Sequence, residues 1–324
     1  MSCITASTRP KILLDCDPGV DDMFAIFCAL RYCDLVAVTS VAGNVGIEHT
    51  THNALGILAL AKASVPVHRG ASRPLNGSDA VDARHVHGES GLGGVELPSF
   101  SGTTASDDAI TALFDETAAG DVTVVAIGPL TNIALAIQQD PSWTSRIPRL
   151  VIMGGSTNSG NVTPHAEFNI WADPEAAAVV FDSGVHICMA GLNLTRQVTM
   201  GADEIATMHM SGSATGLAAA GALDFYSDFS LATYGVKRSA MHDPCAVLEV
   251  VRPDLFDRVG LSVNVETQGV YTRGMTVCDQ RQNAPEADTD VLTGVDHDVL
   301  VPLIVDAAIT VSYPHLTLPT IHAV

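Results

Sequence analysis

Short aliphatic and β-branched runs alternate along this 324-residue chain with stretches of helical period, and this alternation restricts the fold more than any other feature. Lys11–Leu14 is followed by Met23–Leu30, Leu35–Val41 by Glu48–Ala63, and Val122–Ile127 by Leu130–Gln138. Leu150–Met153 opens a glycine turn, and Val185–Met189 precedes Ala202–Met210. Strands that read as continuous apolar runs are covered on both faces, and the helices between them supply the crossovers that a parallel sheet needs. The pattern therefore predicts an α/β chain of one domain, a mostly parallel, open, Rossmann-like sheet with helices on both faces, spanning residues 1–311. Such sheets take their ligands beyond the carboxyl ends of the strands. Two stretches break the rhythm: Gly70–Thr104, rich in Gly, Ser and His, and Ser211–Tyr234, Ala-rich and then aromatic. Both read as irregular, and long irregular segments in compact domains are often lids. Residues 312–324 form an atypical tail, with Pro314, Pro319 and no helical period from Tyr313 onward.

Charge narrows the partners. With 36 acidic against 16 basic side chains the formal net charge is -20, which repels a phosphate backbone and argues against polymeric nucleic acid. No apolar run reaches the roughly 18 residues that cross a bilayer, and Met1–Pro10 lacks a hydrophobic signal core, so the expectation is a cytoplasmic protein with no membrane partner. Seven cysteines, odd in number and without a C-x-x-C pair, suit a reducing compartment.

Asp15, Asp17, Asp21 and Asp22 lie within eight residues, directly after the apolar run Ile12–Leu14 and before an apolar helix. By the two-residue period of a strand Asp15 and Asp17 share a face, Pro18-Gly19 forces a turn, and Asp21 and Asp22 fall at a helix N-terminus. Helix capping explains one or two of these aspartates but not four. Like charges so close raise one another's pKa unless a cation compensates, and the one nearby basic side chain, Lys11, precedes the strand. An oxygen-only donor set favours a hard cation, Ca²⁺ or Mg²⁺, over zinc.

Further along, Asn44 ends the second strand in Val41-Ala42-Gly43-Asn44-Val45, by itself a turn signal. Thr131, in Gly128-Pro129-Leu130-Thr131-Asn132, reads from its side chain as an N-cap. Met153-Gly154-Gly155 leads to Asn161, Glu167 and Asn169, amides and a carboxylate suited to sugar hydroxyls. Asp173-Pro174-Glu175 reads as N-cap, first-turn proline and first-turn acid of a helix. His242-Asp243-Pro244 opens another apolar helix, with Asp243 as a capping carboxylate and His242 able to donate a proton near neutral pH. His85-Val86-His87-Gly88 lies in the first irregular stretch, and Phe225, Tyr226, Phe229 and Tyr234 lie in the second, where aromatics are either core or base-stacking surfaces.

The run Asp15-Cys16-Asp17-Pro18-Gly19-Val20-Asp21-Asp22 resembles the D-x-D-P-G-x-D-D signature of the inosine-uridine-preferring nucleoside hydrolases, and the likeness extends from about Lys11 to Ile309. It implies hydrolysis of the N-glycosidic bond of ribonucleosides, giving ribose and free base, by a Ca²⁺-bound water. In that pattern Asp17 is metal ligand and general base, Asp22 a metal ligand, Asp21 a ribose contact, and Asp15 a support. The H-D-P run makes Asp243 both metal ligand and ribose contact, with His242 as proton donor. The backbone carbonyl of Thr131 completes the metal shell. Asn44, Asn161, Glu167 and Asn169, with Met153 beside them, fall at sugar-binding positions, while His85 and His87 match a loop that closes over the base. The resemblance also implies a homodimer or homotetramer.

Two other readings compete at this level. Asp15-Cys16-Asp17 also resembles the D-x-D site of Mg²⁺-dependent phosphohydrolases of the haloacid dehalogenase type, but no late G-D-x-x-x-D motif follows, and Lys11, Lys62 and Lys237 are the only lysines. A Ca²⁺-dependent sugar-binding protein would keep the carboxylates without needing His242.

Overall fold

The computed structural model describes residues 9–311, so the tail from residue 312 lies outside the described residues. Among the described residues eleven strands form two sheets. The strands are β1 (Lys11–Cys16), β2 (Asp34–Ser40), β3 (Val67–Arg69), β4 (Thr123–Ala126), β5 (Leu150–Met153), β6 (Ile187–Ala190), β7 (Thr199–Met200), β8 (Ser239–Ala240), β9 (Phe256–Val265), β10 (Thr276–Asp279) and β11 (Thr289–Val295). The main sheet runs β10-β9-β11-β6-β5-β4-β1-β2-β3, and β7 pairs with β8 in a small ribbon. Every pairing from β3 across to β11 is parallel, and β9 and β10 extend that edge in antiparallel register. The mostly parallel α/β sheet predicted from the apolar runs is thus present, with a mixed edge.

Alternation along β1 builds a core on each face. Ile12, Leu14 and Cys16 pack with the helices Val20–Tyr32, His242–Val251 and His297–Thr310, whereas Leu13 packs with the helices Thr131–Gln139 and Pro174–Phe181 on the other side. Both faces are covered, as the continuous apolar runs required. Chain order reverses direction between β1, which is followed by β2 on one side, and β4 on its other side. This switch leaves a crevice beyond the carboxyl ends of β1 and β4, where ligands bind in sheets of this kind.

Three local readings need correction. β1 extends to Cys16, so Asp15 lies inside the strand, paired with Thr39 of β2 and Ala126 of β4. Ser211–Tyr234 is not irregular: Ala214–Tyr234 is a helix of 21 residues, capped by Ser213 Oγ accepting from Gly216 N and ended by Gly235 at φ 75°. Its alanines favour helix, and its exposed face carries Leu217, Phe225, Leu231 and Tyr234, so apolar residues on both faces erased the amphipathic signal. The capping readings divide. Asp173 caps its helix as expected, but Thr131 and Asp243 lie inside theirs, behind Leu130 and Met241. Gly70–Thr104 does stay irregular except for one short helix, Arg84–His87.

Buried cysteines Cys16, Cys28, Cys33, Cys188 and Cys245 make no disulfide among the described residues, and burial raises their pKa values. No helix of the described residues is long and apolar enough to cross a membrane.

Asp15 is fully buried. Its Oδ1 accepts from Thr39 Oγ1 at 2.5 Å and Asn132 Nδ2 at 2.7 Å, and Asn132 also donates to Ser40 O and accepts from Ala71 N. One amide side chain therefore ties β1, β2 and the segment after β3 together. Removing it leaves the buried Asp15 with Thr39 as its one donor and two backbone groups without their partner, so Asn132→Ala is expected to destabilise the fold by about 3 kcal/mol in urea unfolding followed by circular dichroism. A loss well under about 1 kcal/mol would mean that Asp15 draws its stabilisation from elsewhere.

Candidate active site

The turn after β1 puts its carboxylates where two glycines leave room for them. A Cβ on Gly43, after β2, would collide with the Asp17 carboxylate, and one on Gly128, after β4, would come within 2.7 Å of Asp17 Oδ1. Bare backbone on both flanking loops is what lets Asp17 sit in the crevice. Asn44 holds the turn from the side: its N–H donates to Asp17 Oδ2 at 2.6 Å, and its Nδ2 to Asp17 O and to Asp22 Oδ2. Asp22 also accepts from Gly19 N at 2.8 Å and Asp17 N at 3.3 Å, so it closes the first turn of the helix Val20–Tyr32.

His242-Asp243, about 220 positions further along the sequence, arrives at the same place. Oxygens of Asp21, Asp22 and Asp243 lie within 4.8 Å of one another. These three acids and Asp17, which Asn44 ties to Asp22, are all buried. Burial raises the pKa of Asp17, Asp21, Asp22 and Asp243, and the charge of Asp22 adds to the rise at Asp17, Asp21 and Asp243. Asp17 Oδ1 is buried with no hydrogen-bond partner among the described residues. A converging set of hard oxygen donors, with one oxygen left unpartnered and no cationic side chain to compensate, fits a hard divalent cation.

Asp21, Asn44, His85, His87, Met153, Asn161, Glu167, Asn169, His242 and Asp243 line one cavity of about 750 Å³. Asp17 and Asp22 are wholly buried and do not reach its wall. Thr131 is turned elsewhere: its hydroxyl donates to Asp173 Oδ2 at 2.6 Å, and it lines a separate small cleft with Asp173.

Several side chains at the cavity are already engaged, which restricts what each can offer a ligand. Asn169 donates through Nδ2 to Ile127 O and Met153 O, leaving Oδ1 as an acceptor. Glu167 caps the helix Phe168–Ala172, accepting from Asn169 N, Ile170 N and Gly155 N, and burial raises its pKa to about 7. Asn161 is exposed at the cavity mouth. His87 Nδ1 accepts from Val20 N at 3.1 Å, so the ring proton sits on Nε2, and burial lowers its pKa to about 3. His242 Nδ1 lies 2.7 Å from Thr195 Oγ1, and its pKa falls to about 4, first through burial and then through the nearby charge of Arg196. Both histidines are therefore neutral at pH 7.

The segment carrying His85 and His87 docks on the long helix Ala214–Tyr234, with His85 edge-on to Phe229 and His87 5.7 Å from the ring of Tyr226. Tyr226, Phe229 and Tyr234 reach the cavity, whereas Phe225 packs against Gly93 instead. Sequence reasoning passed over Thr195, Arg196, Arg238 and Asn132, the first three at the cavity or against its histidine and the last beneath the acidic turn. Asn132 stood inside a motif already singled out, but no local pattern marks the others.

A family model described as inosine-uridine preferring nucleoside hydrolase matches residues 12–301. The pyrimidine-specific ribonucleoside hydrolase RihA of Escherichia coli O17:K52:H18 is 41% identical over 304 residues, covering 91% of this chain and 97% of its own. Among solved structures, a purine-preferring ribonucleoside hydrolase from Gardnerella vaginalis superposes with a TM-score of 0.88 at 31% identity, covering 94% of this chain and 99% of that one. A plant nucleoside hydrolase follows with a TM-score of 0.86 at 30% identity, covering 93% and 99%. The dehalogenase-type and sugar-binding readings find no support in these likenesses. With the acidic turn, the His-Asp pair and the sheet all in agreement, the chain belongs to the inosine-uridine preferring nucleoside hydrolase family and is a nucleoside hydrolase.

Proposed function

We propose that the cavity hydrolyses the N-glycosidic bond of ribonucleosides with Ca²⁺ held by Asp17, Asp22, Asp243 and the backbone carbonyl of Thr131. The reading is carried by one observation: oxygens of the buried Asp21, Asp22 and Asp243 converge within 4.8 Å with no cationic side chain among them, and Asp17, tied to Asp22 through Asn44, keeps a buried Oδ1 without a partner. When bound, the cation supplies compensating charge and a place where a water is oriented and polarised. Asp17, with its unpartnered Oδ1, takes the proton of the attacking water.

The sugar is gripped by Asp21, Asn161, Glu167, Asn169 and Asp243, with Met153 beside it. Asn44 contributes mainly by holding Asp17 and Asp22, since its N–H and Nδ2 go to them. Carboxylates around the ring also favour the positive charge that grows on the sugar as the bond to the base breaks. His242 serves the departing base, and His85 and His87 close over it. The base is a pyrimidine in this reading, because the 41% identical relative carries that specificity in its name while the purine-preferring structure shares 31%.

Asp17→Asn is expected to lower kcat/KM for uridine by about 10³-fold, the scale of a lost general base, with the far-ultraviolet circular dichroism unchanged. Ribose release measured by a reducing-sugar assay checks this, and a variant within about tenfold of the parent would remove Asp17 from the chemistry. Dialysis against a calcium chelator is expected to abolish ribose release from uridine, and added Ca²⁺ to restore it better than Zn²⁺. Full activity in the chelator would sink the metal assignment.

A further inference from the structure

The four-residue helix Leu192–Thr195 follows β6; its last residue backs the cavity residue His242, and the next, Arg196, lines the cavity itself. Thr195 is fully buried, with Oγ1 2.7 Å from His242 Nδ1. No other acceptor for its hydroxyl occurs among the described residues, so the hydroxyl donates to Nδ1 and the imidazole carries its proton on Nε2. That nitrogen has no protein partner, and His242 lines the cavity. Arg196 turns to the sugar side: Nη1 donates to Ser159 Oγ at 2.8 Å and Ser159 O at 3.4 Å, and Nη2 to Gly160 O at 2.7 Å, immediately before Asn161.

We infer that Thr195 and Arg196 are positioning residues for the reaction proposed above, on which this inference rests: Thr195 fixes the tautomer that aims an N–H of His242 at the departing base, and Arg196 fixes the loop that presents Asn161 to the sugar. As water adds to C1′ and the C1′–N bond breaks, its electron pair moves onto the base, where the Nε2–H meets the developing negative charge. Valine at 195 keeps the shape but lets the ring take the other tautomer, with a lone pair facing the base. Lysine at 196 cannot span two carbonyl groups as the planar guanidinium does.

The test compares uridine with 4-nitrophenyl β-D-ribofuranoside, whose phenolate leaves without needing a proton. Thr195→Val is expected to lower kcat on uridine by about 10- to 100-fold with KM little changed, and to retain activity on the nitrophenyl riboside. Thr195→Ser restores the uridine rate. Arg196→Gln is expected to raise KM by about the same factor on both substrates, because both carry the same sugar; Arg196→Lys recovers little of it. Equal losses on both substrates in Thr195→Val would make Thr195 merely structural and overturn its assignment, as would an unaffected uridine rate. An unchanged KM in Arg196→Gln overturns the assignment of Arg196. A parent enzyme that cleaves neither substrate would overturn the underlying activity instead.

Discussion

Burial of acid without a cationic neighbour governs the organisation of this molecule. Asp17, Asp21, Asp22 and Asp243 all lie out of water, and taking such groups from water in their charged form is costly unless they are compensated. Much of the surrounding architecture can be understood as support for that arrangement. β1 delivers the turn to the point where chain order reverses, Gly43 and Gly128 clear space for Asp17, and Asn44 stitches Asp17 to Asp22. The turn that opens the helix Val20–Tyr32 points the N–H groups of Asp17 and Gly19 at the Asp22 carboxylate, a favourable arrangement for negative charge.

A second layer of polar contacts lies beneath the first. Asp15 does not face the cavity; it shares the Asn132 network that crosslinks β1 and β2. The first aspartate of the acidic run therefore holds the strand end, while the later ones form the cluster. The far wall is shaped differently, by the helix Ala214–Tyr234 and the short segment Arg84–His87 that docks on it through ring contacts. The cavity thus has an acidic floor and an aromatic wall, which suits a polar sugar joined to a flat heterocycle.

The sequence made legible those features whose signal is local. Continuous apolar runs located β1, β2, β4, β5 and β6, and the spacing of acids around Pro18-Gly19 located the turn. Tertiary causes were less visible. The helix Ala214–Tyr234 has no polar stripe, so its period did not register, and nothing in Leu192–Arg196 announces that Thr195 meets a histidine 47 positions away. Asn44 and Thr131 show a subtler limit: residue type suggested a turn and an N-cap, whereas their side chains hold Asp17 and Asp22 in one case and Asp173 in the other.

The central claim is that carboxylates of the N-terminal turn and of the distant His242-Asp243 pair hold one cation together, and calorimetric titration of Ca²⁺ into chelator-treated protein tests it most directly. The account predicts one site per chain, weakened at least about 100-fold by Asp22→Asn and equally by Asp243→Asn, since each removes a charged ligand from a buried set. Binding that persists undiminished in either variant, or no binding by the parent protein, would contradict it.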